Sequence, residues 1–146
     1  MLLGLLIMSS YSSAESKINL KLAAAEWPPY TGANLRDGGL ATKIVTAAFD
    51  RVGYLAEFLV QPWLRAQKMV MKGQLDGMGI AWYTDERVVT MAYSRSYLKT
   101  ELVLIKHRDD PVSYDAPDDL VNKHFSVLRG YGYTNVLPTG SIQTTV

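Results

Sequence analysis

The stretch "GGLATKIVTAAFDRVGYLAEFLV", residues 38–60, changes its apolar spacing partway along, and that change sets the fold class. Leu40, Ile44, Ala48 and Val52 recur every four residues, which lines one face of an α-helix. Gly53 follows, and a glycine just past the last apolar position suits the left-handed turn on which many helices end. "YLAEFLV" is then a short apolar run ahead of Gln61 and Pro62, the mark of a strand.

The same alternation extends in both directions. Upstream, "KINLKLAAA" puts Ile18, Leu20 and Leu22 on one face of another strand. "EWPPYTG", residues 26–32, is a loop, because successive prolines cannot donate to a ladder. Downstream, "QPWLRAQKMVMKG" is a second helix, with Pro62 at its first turn and Gly73 past its end. "LDGMGIA", residues 75–81, is a short strand loosened by two glycines. Strand, helix, strand, helix, strand is the α/β order, with helices crossing over a mainly parallel sheet. Ligands of such sheets lie beyond the carboxyl ends of the strands. Here the loops at those ends are "EWPPYTG", "QPW" and "AWYTDER", and each carries a tryptophan.

The remainder is less regular. "TELVLIKH" is expected to form a strand over residues 101–106, and Pro117 to open a helical turn. "HFSVLRGYGYTNVL" has the pattern of a strand, a glycine-rich turn and the start of a helix, and "PTGSIQTTV" is assigned no element. At the other end, "MLLGLLIMSSYSSA" is uncharged, apolar from Leu2 to Met8, and ends in small residues. It is too short to span a bilayer and is expected to be a cleaved signal peptide, although no basic residue precedes the apolar run. The expected division is residues 1–14 as signal peptide, 15–100 as a first α/β lobe and 101–146 as the beginning of a second, cut short. The competing reading of residues 1–14 is a buried first element.

Composition narrows the chemistry. With 15 basic and 14 acidic residues, the net charge of +1 gives no support for a nucleic-acid partner. The absence of cysteine excludes disulfides, thiolate metal sites, Cys nucleophiles and a lipoprotein anchor. His107 and His124 have no partners at metal-ligand spacing. No Ser-His-Asp set or motif-placed carboxylate pair is present, and Glu26 and Asp85 are the only loop acids worth testing as catalysts. From these residues no cofactor and no metal are expected, and no catalytic set marks the chain as an enzyme.

Several segments together resemble the extracellular solute-binding proteins of family 3, the amino-acid-binding type that serves ABC importers. They are "EWPPYTG", "GGLATKIVTAAFDRVGY", "PWLRAQKMVMKGQLDGMGIAWYTDERVVTMAYSRSY" and "DDLVNKHFSVLRGYGY", spread over about residues 18–133. The third is the most specific: a helix ending in Gly, then Leu-Asp-Gly, Thr-x-x-Arg, and an aromatic-Ser. The resemblance implies a type II periplasmic-binding-protein fold whose two lobes close on a small solute, and a periplasmic receptor that hands it to an ABC permease. The alternatives are a sensory or orphan binding domain, or a dehydratase or cell-wall enzyme fragment.

By the same resemblance, Arg87 of Thr84-x-x-Arg87 pairs with a ligand carboxylate. Trp27 and Tyr30 pack on the ligand body, Trp82 walls the cleft, and Gly130, Tyr131 and Gly132 form a turn offering backbone donors. Where the family carries hydroxyl residues, this chain has Gly79, Ile80, Ala81 and Trp82, with one residue fewer. The acid that receives an α-ammonium falls beyond residue 146.

Residue type alone leaves plainer alternatives open. Arg87 would suit a surface pair with Asp85 or Glu86, Trp27 and Tyr30 a plug over the sheet end, and Trp82 the core. Trp63 would suit either burial at its helix start or the cleft, and Asp76 a structural carboxylate.

Overall fold

The computed structural model describes residues 16–133 and 136–145. The expected signal peptide, residues 1–14, lies outside them.

Strand β1 (Ile18–Ala24) is central, paired in parallel with β2 (Tyr54–Val60) on one side and β3 (Gly77–Met78) on the other. Leu22 stands opposite Phe58 and Gly77. Helix α1 (Leu40–Asp50) links β1 to β2 and packs on β2; α2 (Trp63–Met71) links β2 to β3 and packs on β1 and β3. This is a mixed α/β architecture, a parallel sheet flanked by its crossover helices.

Local chemistry accounts for the boundaries. The first amides of α1 find acceptors in the preceding loop: Leu40 N–H donates to the Pro29 carbonyl at 3.1 Å and Ala41 N–H to that of Tyr30 at 2.9 Å. Gly39 has φ +99°, and a Cβ there would lie 2.5 Å from the Tyr30 carbonyl oxygen; only glycine lets loop and helix approach so closely. At the end of α2, Gly73 adopts φ +66°. Its N–H donates to Val70 and that of Gln74 to Met69, at 2.9 Å each, the paired bonds of a Schellman motif.

The core under α2 consists of Ala23, Ala66 and Leu75, with Met69, Val70 and Met78 packed around it. The alanines permit close helix–sheet contact, and Leu75 supplies most of the volume. Asp76 is structural: its carboxylate accepts the Lys21 N–H at 2.7 Å, while its own N–H donates to the Lys21 carbonyl at 2.9 Å. It neither caps a helix nor touches Arg87.

Three readings of the sequence need correction. The third strand is only Gly77–Met78, although Gly79 still donates its N–H to the Ala23 carbonyl. A Cβ at Gly79 would lie 2.0 Å from the Phe58 ring, so glycine serves packing here as well as loosening the strand. Residues 101–106 form no strand: Val103 is 69% and Ile105 91% exposed. An alternating apolar run becomes a strand only where a neighbour completes its ladder, and among the described residues none does. Conversely, the tail forms β5 (Ile142–Thr145), which pairs in parallel with β4 (His124–Val127).

A 3-10 turn, Pro117–Leu120, precedes β4 as expected. Leu120, Val127 and Leu137 form a second buried cluster, flanked by Phe125 and Tyr133. The helix expected after the glycine-rich turn falls partly on residues 134 and 135, outside the described residues; residues 136–137 form a turn.

Candidate functional site

At the carboxyl ends of β1, β2 and β3 the three tryptophan-bearing loops converge. They meet the turn that follows β4. The small cavity they enclose is lined by Trp27, Trp63, Trp82, Arg87, Tyr131 and Gly132, over a floor of Ala25, Thr31, Ile80 and Ala81.

The loop after β1 is a tight, self-bonded turn. Trp27 and Thr31 form an isolated antiparallel bridge, and Tyr30 N–H donates to the Trp27 carbonyl at 2.8 Å. Thr31 is almost fully buried, and its hydroxyl donates to the Ala25 carbonyl. Trp27 is thereby presented edge-on to Trp82, with ring centroids 5.6 Å apart and an interplanar angle of 81°, a favourable aromatic geometry. Tyr30 packs against Trp27 at 4.9 Å and does not line the cavity.

Arg87 sits on the short helix α3 (Asp85–Val88). Thr84 caps that helix, its hydroxyl oxygen accepting the Arg87 N–H at 3.3 Å. The cap fixes where the side chain starts, and Trp63 fixes where it ends: the guanidinium carbon lies 4.9 Å from the Trp63 ring centroid, a cation–π contact. Nη1 donates to the Trp82 carbonyl at 2.8 Å and Nη2 to the Gly130 carbonyl at 2.9 Å.

The arginine is only 8% exposed. Asp85 and Glu86 are exposed, and among the described residues no carboxylate forms an ion pair with Arg87. The surface-pair alternative therefore fails. A guanidinium carries five N–H donors, and carbonyls offset its buried charge only in part. Chemically, the arrangement is a fixed planar fork of donors in an aromatic surround, suited to a planar anion.

Trp82 is anchored twice. Its indole Nε1–H donates to the Thr100 hydroxyl at 2.9 Å, and its carbonyl also accepts the Tyr93 hydroxyl at 3.0 Å. Facing it, Gly130 has φ +77°, and a Cβ on Gly132 would lie 2.3 Å from Thr84 Cγ2; the two glycines let this turn reach Arg87. Gly130 contributes an acceptor here, its carbonyl, which also takes the Trp63 indole N–H at 2.6 Å. Tyr131 packs on Trp63 with centroids 5.4 Å apart. Burial pushes its phenol above the usual tyrosine range; the neighbouring Tyr133 adds to this and Arg87 opposes it. Tyr131 therefore stays neutral at physiological pH and adds no counter-charge to the arginine.

The structure brings together Trp27, Trp82, Thr84, Arg87, Gly130, Tyr131 and Gly132, and leaves Tyr30 behind Trp27. Sequence reasoning left Trp63 undecided and passed over Thr31, Tyr93 and Thr100. The tryptophan recurring in each loop was the signal for Trp63; the other three are recognised only by their hydrogen bonds. His107 and His124 are exposed, and among the described residues no three His, Asp or Glu side chains gather as metal ligands. Among the same residues no helix is long and apolar enough to cross a membrane. No family model matches the chain, and no curated protein or solved structure matches it either.

Proposed function

We propose that this chain is a solute-binding receptor whose Arg87 captures the carboxylate of a small solute, an amino acid or a related acid. The observation that carries this reading is the buried Arg87 guanidinium, which lies beyond the strand ends and has no carboxylate partner among the described residues. A protein that buries a cation without a counter-ion incurs a desolvation cost, and an incoming anion offsets it. The aromatic rings of Trp27, Trp63 and Trp82 provide apolar surface for the rest of the ligand.

The resemblance of Thr84-x-x-Arg87 and its flanking segments to family 3 solute-binding proteins supports the same reading. In its full form the proposal is a type II periplasmic-binding-protein fold, export through the apolar leader, and delivery to an ABC permease. Binding is non-covalent, and closure of the two sides of the cleft completes the site. The space beside Arg87 holds about 20 Å³, room for roughly one water, although spaces of about 730 and 620 Å³ adjoin it past Trp82 and Trp63; a carboxylate therefore reaches the guanidinium only if the residues around it give way.

The test is a tryptophan-fluorescence titration of the chain with L-amino acids, dicarboxylates and acetate, each paired with its primary amide. All three tryptophans line the cavity, so an occupied site changes their emission. The expected result is a saturable change with at least one carboxylate and none with its amide. Amides that bind as well as acids, or no response to any carboxylate, would overturn the proposal.

A further inference from the structure

The Gly130 carbonyl accepts two strong donors at once, the Trp63 indole Nε1–H at 2.6 Å and Arg87 Nη2 at 2.9 Å. A carbonyl oxygen has two lone pairs, and these two donors use both. The other terminal nitrogen of the fork, Nη1, is held by the Trp82 carbonyl, five residues back along the same loop. That bond belongs to the local build of the site. The Gly130 bond is different, because its acceptor arrives from a turn 43 residues away and comes from the facing side of the cleft.

The geometry points to the Gly130 carbonyl as an internal stand-in for one oxygen of the ligand's carboxylate, with Trp63 as the positioning residue that holds it in the fork. The inference rests on the reading of Arg87 as an anion site. Three features support it. With the carbonyl in place the space beside Arg87 takes only about 20 Å³, too little for a carboxylate group. The turn reaches the fork through Gly130 at φ +77° and through Gly132, which lies against Thr84, so the approach is built into the backbone. Trp63 contacts both partners, with its ring face under the guanidinium and its N–H on the carbonyl.

The consequence is a latch. Ligand binds only the fraction of molecules in which the carbonyl has left Nη2, and apparent affinity falls by that fraction. Capture of an anion is thereby coupled to displacement of the turn at residues 130–132. Weakening the hold on the carbonyl without touching the fork should increase affinity, the opposite of what loss of an ordinary wall residue does.

The substitution that separates these is Trp63→Phe. It keeps an aromatic face under Arg87 and removes the N–H. Calorimetry on the 146-residue chain, with formate and acetate as probes, should show binding tightened by about twofold to tenfold, the worth of one net hydrogen bond. Arg87→Lys added to Trp63→Phe should abolish the gain. In the parent, the Trp63 indole N–H resonance should exchange slowly with solvent, then shift and lose protection as acetate saturates.

Trp63→Phe that binds acetate no better than the parent overturns the latch, while Arg87→Lys still tells whether the anion reading stands. If Trp63→Phe does not fold, an indole resonance unmoved by bound acetate overturns the latch on its own. Binding that is undiminished by Arg87→Lys in both backgrounds overturns the anion reading and the latch with it.

Discussion

Arg87→Ala should weaken binding of the preferred carboxylate by about 2–5 kcal/mol, roughly 30-fold to several thousand-fold, as expected when one partner of a desolvated charge pair is truncated. The size follows from burial. At 8% exposure the guanidinium is shielded from water, so its attraction for an anion is screened far less than that of a surface arginine. Arg87→Lys should recover only part of the loss, because an ammonium keeps the charge but cannot offer two parallel N–H groups, nor lie flat on the Trp63 ring. Asp85→Ala is the control: Asp85 is exposed and unpaired with Arg87, so its loss should change affinity and stability by no more than about 0.5 kcal/mol. Calorimetry on all four proteins checks the series, with circular dichroism to confirm that each is folded. A parent-like affinity in folded Arg87→Ala would remove the arginine from the site.

Leu75→Ala should destabilise the fold by about 2–5 kcal/mol. Leu75 is 6% exposed and packs with Ala23 and Ala66, two side chains too short to collapse into the space it would vacate. The cost therefore includes the cavity as well as the lost transfer energy. For a domain of this size the change corresponds to a fall in Tm of roughly 5–20 °C, read by thermal unfolding. Leu102→Ala provides the contrast. Leu102 is 40% exposed and belongs to no strand, so its truncation should cost less than about 1 kcal/mol. Equal losses at the two positions would mean that residues 101–106 are packed after all.

These two sites show where the sequence could be read and where it could not. Helices α1 and α2 and the first two strands were legible because their signals are local, whereas the short α3 lies in a segment read as a loop. The four-residue spacing of Leu40, Ile44, Ala48 and Val52 marked α1, but the helix buries Ala41 and Thr42 instead, while Leu40, Ala48 and Val52 are exposed and Val52 lies past its end; Gly53 and Gly73 sit in the left-handed turns their positions imply. Pairing is not local. "ELVLIK" alternates as a strand should, yet it has no ladder partner among the described residues, whereas "IQTT" has a weaker pattern and pairs with β4. Apolar alternation reports what a segment could bury; a strand also needs a neighbour's donors and acceptors.

The site divides in the same way. Three tryptophans at three strand ends already suggested an aromatic cleft, and Thr84-x-x-Arg87 suggested its cation. What the sequence left hidden is that the Gly130 turn contributes a carbonyl to that cation, and that Trp63 holds both. Contacts across 43 and 67 residues leave no mark in spacing. The placement of Tyr30 was hidden for a related reason. The Trp27–Thr31 bridge turns the loop so that one aromatic faces the cavity and the next packs behind it.

Whether Arg87 holds a carboxylate is read from the guanidinium itself. With nitrogen-15 arginine in the chain and Arg87→Lys to assign the signal, the side-chain resonances are recorded during titration with the acid that binds best. The Arg87 signals should move saturably, at the concentration where calorimetry places half-occupancy, and no other arginine should follow. An acid that binds while the Arg87 resonances stay in place would contradict the carboxylate reading.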